Sequence, residues 1–211
     1  MASSATPTYT AIDLGLPSGL KWASSNVGAL VPEGAGRYFG WGMTDGYDKS
    51  ENSYDWGPYF VHLGGTGTSY SDCGKDADPL KDIVKNAGVQ GMRLPSSNDA
   101  ATVNMGGTWR MPTENDYTEL FENCTYSEVV QNGVRGILLV SKTNSKSLFI
   151  PFAGHCAYTS WYSYASSLEL WTASPGSSTS YSGARSVRYY GRSYFNTQSR
   201  FYGLPVRGVR P

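Results

Sequence analysis

"MPTENDYTELFENCTYSEVVQNGVRGILLVSKTNSKSLFIPFAG" runs from Met111 to Gly154 and changes its period in the middle. Up to Cys124 the apolar residues Tyr117, Leu120, Phe121 and Cys124 stand at i, i+3, i+4 and i+7, the stripe of a helix with one buried side. Thr113 is a natural N-cap, and Asp116 follows three residues on, as in a capping box. Glu114 and Asp116 also set negative charge at the positive end of the helix. Beyond Cys124 the pattern is β. Asn132-Gly133 and Thr143-Asn144-Ser145 are hairpin signals, and Ile137–Val140 and Leu148–Ile150 read as buried strands. A helix feeding a meander of strands makes the class α+β.

Working outward, Tyr9–Ala29 reads as short strands broken by the turn residues Pro17-Ser18-Gly19. "GRYFGWG" (Gly36–Gly42) is a further aromatic strand. Met43–Gly91 is irregular, a long loop region expected to pack through Tyr54, Trp56, Tyr59 and Phe60. Within it Asp78–Gly88 has room for a short helix. "SSNDAATVNMGG" (Ser96–Gly107) offers Ser or Asn caps before Asp99 and a stop at Gly106-Gly107. Ala157–Gly203 has another composition: its 47 residues hold eight Tyr and twelve Ser. In "ARSVRYY" the alternation turns Val187 and Tyr189 inward and Ser186, Arg188 and Tyr190 outward. "GLPVRGVRP" is a final strand returning to the core. Residues 1–8 are expected as a disordered tail and residues 9–211 as one domain.

The chain of 211 residues is long enough for a core without a metal or disulfide, and at 14% aromatic and 16% charged residues it is too apolar to be disordered. Cys73, Cys124 and Cys156 lack metal-ligand spacing and read as buried free thiols, with one disulfide as the alternative. No stretch is long and apolar enough to span a membrane, and "MASSATPTYT" lacks the basic start and apolar run of a signal peptide. From Val129 onward nine Lys and Arg face one acid, Glu169, so the C-terminal part carries 9 − 1 = +8 and the first 128 residues 8 − 16 = −8. Either the two parts attract each other within one fold, or the molecule has a basic face for an acidic partner.

Signs of catalysis are missing. His62 and His155 are the only histidines, and there is no HExxH, no G-x-S-x-G and no phosphate loop. The Gly-rich pieces "HLGGTGTS" and "NMGGTWRMP" read as turns. The acids Asp45, Asp48, Asp72, Asp76 and Asp78 lie in loops, and "DCGKDAD" lacks the ligand pattern of a calcium loop. No enzyme activity, metal or cofactor is therefore expected. What remains is surface chemistry. Tyr offers rigid amphipathic contact area, Ser and Gly offer adaptability, and Arg and Tyr lead at binding hot spots, so Ala157–Gly203 has the composition of a paratope.

"YTAIDLGLPSGLKWASSNVGA", "GRYFGWG", "GGTWRMPTENDYTEL", "VQNGVRGILLVSKTNSKSLFIPFAG", "LWTAS" and "YGLPVRGVRP" together resemble bacterial C-type-lectin-fold proteins of the Fibrobacter-type paralogous domains. The resemblance covers Tyr9–Pro211 and is weakest over Met43–Gly91. It implies a single-domain C-type lectin fold with two short helices and mixed or antiparallel strands, distantly related to the formylglycine-generating enzymes. The catalytic cysteine pair of those enzymes has no counterpart here. Many such proteins are variable proteins of diversity-generating retroelements, in which adenines of a template are miscopied and Asn codons AAC are the usual targets. Changing the first two bases of AAC cannot yield Trp, Met, Lys, Gln or Glu. In Ala157–Gly203 the only such residues are Trp161, Glu169, Trp171 and Gln198, which should then be scaffold.

The resemblance thus implies a diversified ligand-binding segment over about residues 157–203. Its face would comprise Ser186, Arg188, Tyr190, Tyr194, Asn196, Thr197, Ser199 and Tyr202, with Ser163, Tyr164, Ser177, Ser178, Ser180 and Tyr181 upstream. The first eight are expected together on one exposed face. Trp22, Trp41, Trp109, Trp171, Phe149, Phe152, Val187 and Val206 are expected to hold the scaffold. The implied partner is a protein or glycan receptor on a cell surface, with the chain extracellular, on a virion or a bacterial surface. Nucleic-acid binding and direct membrane insertion are not expected.

Overall fold

The structure, a computed structural model, describes residues 6–48, 78, 80–87, 89, 91–157, 160–176 and 183–211. Tyr54, Trp56, Tyr59, Phe60, His62, Cys73, Ser177, Ser178, Ser180 and Tyr181 lie outside the described residues. What is described is mostly sheet with few helices, an α+β composition. Among the described residues every strand pairing is antiparallel.

The strands are β1 (Ala11–Asp13), β2 (Lys21–Asn26), β3 (Tyr38–Phe39), β4 (Cys124–Gln131), β5 (Val134–Ser141), β6 (Ser147–Pro151), β7 (His155–Ala157), β8 (Ser160–Tyr162), β9 (Leu168–Pro175), β10 (Gly183–Tyr189), β11 (Ser193–Ser199), β12 (Leu204–Pro205) and β13 (Arg207–Arg210). They form three three-stranded sheets, β1-β2-β13, β4-β5-β6 and β11-β10-β9, and two small ones, β12-β3 and β7-β8. The helices are α1 (Lys81–Lys85), α2 (Ala100–Met105) and α3 (Glu114–Asn123). Three helices are thus found among the described residues where the resemblance implies two; the third, Lys81–Lys85 with Val84 buried, lies in the Asp78–Gly88 stretch that has room for a short helix in sequence.

α3 forms as its sequence dictates. Thr113 accepts the Asp116 N–H, and Asp116 accepts the Thr113 N–H in return. Tyr117 and Leu120 are buried, and Cys124 ends the helix by entering β4 with extended backbone. Asn132 (φ 47°) and Gly133 (φ 81°) make the tight turn between β4 and β5, where twist-matched hairpins need positive φ at both positions. Two expectations are corrected. Asp99, not a preceding Ser or Asn, caps α2, because its carboxylate takes the N–H groups of both Thr102 and Met111. The strand expected over Gly36–Gly42 is only the two residues of β3, since Trp41 leaves the ladder to bond the Arg200 carbonyl.

Among the described residues two apolar clusters make the core. One gathers Phe39, Trp41, Met111, Trp171 and Val206; the other gathers Trp22, Tyr117, Leu120, Ile137, Leu139, Val187 and Val209. All eight expected scaffold residues are buried. Each fully buried aliphatic side chain contributes about 1.5–3 kcal/mol. The sheet β11-β10-β9 lies between the clusters. Leu168, Leu170, Val187 and Tyr189 face one of them, and Trp171 and Ala184 face the other. The opposite charges of the two parts of the chain meet within the fold: Arg185 pairs with Glu114, Arg135 with Glu128 and Arg200 with Asp78.

Candidate functional site

β9 and β10 place Glu169 directly opposite Arg188, on the sheet side that also carries Trp171 and Ser186. Glu169 is fully buried, yet it is fully partnered. Arg188 Nη2 donates to Oε1 at 2.8 Å, and the Ser167 hydroxyl donates to the same oxygen at 3.2 Å. Gln198 Nε2 donates to Oε2 at 3.3 Å. His155 Nδ1 lies 3.0 Å from Oε2, close enough for charge contact but off the line of a hydrogen bond. Burial alone would raise the Glu169 carboxyl, but His155, Arg188 and Ser167 hold it below the ordinary carboxylate value.

Around this charged hub stand aromatic rings. His155 is sandwiched between Tyr162 and Tyr202, with centroids at 5.3 and 5.4 Å and planes within 15° and 16° of parallel. The Arg188 guanidinium lies over the Tyr194 ring at 5.9 Å. Tyr190, 74% exposed, stands at the tip of the β10–β11 hairpin, where its N–H bonds the Arg192 carbonyl. Asn196 lies opposite Ser186, half-buried on the hub side. The hub side therefore brings together Arg188, Tyr194, Asn196 and Tyr202 from the expected face.

Other expected site residues are placed elsewhere. Ser186 is buried, not exposed, because Trp171 lies opposite it and the sheet is covered on both sides there. Thr197 is exposed but on the α3 side of the sheet, where its hydroxyl accepts from Arg185, itself held by Glu114. Ser199 shares that side by its register opposite Gly183 and is half-buried. The expectation of one face for these eight residues is thus corrected. Strand alternation sends residues 186, 188, 194 and 196 one way and 197 and 199 the other. Upstream, Ser163 is half-buried in a tight turn (φ 55°), its carbonyl taking the N–H groups of Ser166 and Ser167. Tyr164 is exposed and lines a separate cleft of about 270 Å³ with Arg135 and Phe152. A further cleft of about 300 Å³ lies on the α3 side, between Phe121, Tyr126 and Phe195.

No family model, curated protein or solved structure matches the chain. The resemblance is carried by the quoted motifs alone. Those motifs do meet in space. Trp22 of "DLGLPSGLKWA" lies opposite Val209 of the final strand, and Arg110 of "WRMPT" bridges the same Val209. Arg207, fully buried, donates to the carbonyls of Ala23 and Phe149.

Tyr162, His155, Glu169 and Gln198 are site residues that the face drawn from sequence omitted. One signal was available for Glu169, the only acid after Val129. No signal marked His155, because its stacking partners lie seven and 47 residues away along the chain. Among the described residues no group of three or more His, Cys, Asp or Glu could hold a metal ion. Asp78, expected in a loop, is buried and takes both arms of Arg200 at 2.8 and 3.1 Å. No described helix is long and apolar enough to cross a membrane.

Proposed function

We propose that this chain is a non-enzymatic binding protein with a C-type lectin fold, a variable protein of a diversity-generating retroelement displayed on a virion or bacterial surface. Its hub side, with Arg188, Tyr194, Asn196, Tyr202 and Tyr162, takes a protein or glycan receptor. One observation carries this reading. The residues that AAC-directed miscopying cannot produce are the ones beneath the face: Trp171 and Glu169 are fully buried, Gln198 bonds Glu169, and Trp161 packs edge-on against Tyr38 at 4.6 Å. Residues that miscopying can produce supply the exposed side chains: Tyr162, Tyr164, Tyr190 and Tyr194. Such a division gives a fixed floor beneath adjustable contacts, and rigid aromatic contacts lose little rotamer freedom on binding. The DNA beside the gene tests it. The expected finding is a near-identical repeat that differs at adenines, next to a reverse transcriptase; absence of both overturns the retroelement reading.

A glycan-binding role is the second reading, favoured by Tyr162. One face of its ring stacks on His155 and the residue is 46% exposed, which leaves ring surface for a sugar. A glycan array showing one sharp sugar preference for this chain supports that reading, and a blank array removes it.

A further inference from the structure

We propose that the cleft on the α3 side is a second binding site, one that takes an organic ammonium ion, a trimethylammonium head above all. It goes beyond the receptor face of the hub side and stands on its own geometry; only the variation of its β11 wall rests on that reading.

The cleft measures about 300 Å³, the small end for a ligand pocket, so it suits a compact group. α3 supplies Phe121 and Glu122, β4 supplies Tyr126, β10 supplies the buried Val187, and β11 supplies Ser193 and Phe195. The rings of Phe121 and Tyr126 stand nearly perpendicular, with centroids 5.3 Å apart, and so turn their faces to two sides of one corner. The Tyr126 hydroxyl lies 3.4 Å from Ser193 Oγ, which ties β4 to the β10–β11 hairpin beside the cleft. Tyr126 is 37% exposed, and Phe121 and Phe195 are half-buried, so ring surface is open to a ligand.

Charge decides the ligand class. α3 carries four acids, and three of them are engaged. Glu114 accepts from Arg185 Nε and Nη2 at 2.8 Å each, Asp116 pairs with Arg110, and Glu119 accepts the Ser18 N–H and hydroxyl. Glu122, which lines the cleft, has no side-chain partner among the described residues; Lys142 bonds its backbone carbonyl instead. Among the described residues no Lys or Arg lines the cleft, so an anion finds no counter-charge there. Arg185 lies over the Phe195 ring at 5.9 Å, but Glu114 neutralises it. Ring faces attract a cation, and the Glu122 carboxylate adds to that attraction. Methyl groups on the nitrogen also bring apolar surface to the rings, which a hydrated inorganic ion does not.

Choline tests this on the full chain, against its neutral isostere dimethylbutanol, in which a carbon replaces the charged nitrogen. Aromatic NMR signals are the readout. Choline has few heavy atoms, so a Kd of about 1–10 mM is expected. The ring signals of Phe121, Tyr126 and Phe195 should move, and the neutral isostere should bind about tenfold more weakly. Glu122 is exposed, so Glu122→Gln keeps the fold; it should weaken choline several-fold and leave the isostere unchanged. Tyr126→Leu, which keeps apolar bulk but removes a ring, should also weaken choline. Phosphocholine should bind more weakly than choline, because its phosphate meets Glu122 and no cation. Nα-acetyl-trimethyllysine amide bears the same head: tighter binding than choline assigns the site to a protein side chain, and weaker binding to a free ion. Equal binding of choline and the isostere, tighter binding of phosphocholine, unchanged choline affinity in Glu122→Gln, or shifts confined to the hub-side tyrosines overturns the proposal. The DNA beside the gene decides the receptor face separately, so choline binding without a template repeat, or a repeat without choline binding, tells the two apart.

Discussion

Arg110 and Asp116 meet in a two-armed ion pair, Nη1 to Oδ2 at 2.6 Å and Nη2 to Oδ1 at 3.3 Å, at the first turn of α3. The same carboxylate closes the capping box on the Thr113 N–H. Burial would raise the Asp116 carboxyl, but Arg110 and Thr113 hold it below the ordinary value. A depressed carboxyl contributes stability above the unfolded value of about 3.9, and that stability is lost as pH falls through the folded value. Asp116→Ala should cost about 1–2 kcal/mol near neutral pH, from the lost cap and pair. Urea unfolding of both proteins should show the difference shrinking toward about pH 3. A gap that does not change with pH would rule out the ionised carboxylate as its source.

Core and face should separate in mutational cost. Trp171 is fully buried and donates its Nε1–H to the Phe39 carbonyl at 2.6 Å, so Trp171→Ala should cost about 3–5 kcal/mol. Tyr190→Ala should stay within about 0.5 kcal/mol. Ser186 tests the corrected placement. Its hydroxyl is buried without a partner, so Ser186→Ala removes an unsatisfied group and should leave stability unchanged or slightly raised. A loss above about 1 kcal/mol at Ser186 would mean that the hydroxyl has a partner, such as a buried water.

Gly154 sets the approach of the turn after β8. It has φ 59°, and a Cβ there would run into the Tyr162 carbonyl, Ser163 and the Tyr164 N–H. Gly154→Ala is therefore strained in backbone and in space, and it should destabilise by more than about 1 kcal/mol. The displacement should fall on Tyr162 and Tyr164, so their ring signals should shift in NMR spectra. Unchanged spectra would show that the turn gives way without moving the face.

Cys124 and Cys156 are buried free thiols. Burial pushes the Cys156 thiol up to about 12, so it stays protonated across the neutral range. A thiol reagent at about pH 8 should leave both unlabelled in the native protein and label them in denaturant, with mass spectrometry locating the sites. Rapid native labelling of Cys156 would refute its burial.

Much of the local structure is legible in the chain itself. The capping box at Thr113, the Asn132-Gly133 turn and the stop at Gly106 are chosen by residues that stand next to one another. The buried strands β5 and β6 announce themselves by apolar content, and the alternation in "ARSVRYY" correctly turns Val187 and Tyr189 inward. The motif set also drew attention to the C-terminal third, where the exposed tyrosines of the hub side lie.

Tertiary structure decided the rest. Alternation says that Ser186 and Val187 face opposite ways, but not that both sides of that sheet are covered, and Ser186 is buried for that reason. It separates Thr197 from Asn196, yet which of them reaches the hub depends on α3 packing against the other side through Arg185 and Glu114. The hub is the clearest case. Glu169, His155, Arg188 and Gln198 come from four strands, and a lone acid among cations reads in sequence only as a charge imbalance. Its pairing exists because the folded chain excludes water from Glu169, and a buried carboxylate is stable only where distant strands bring it a cation and donors.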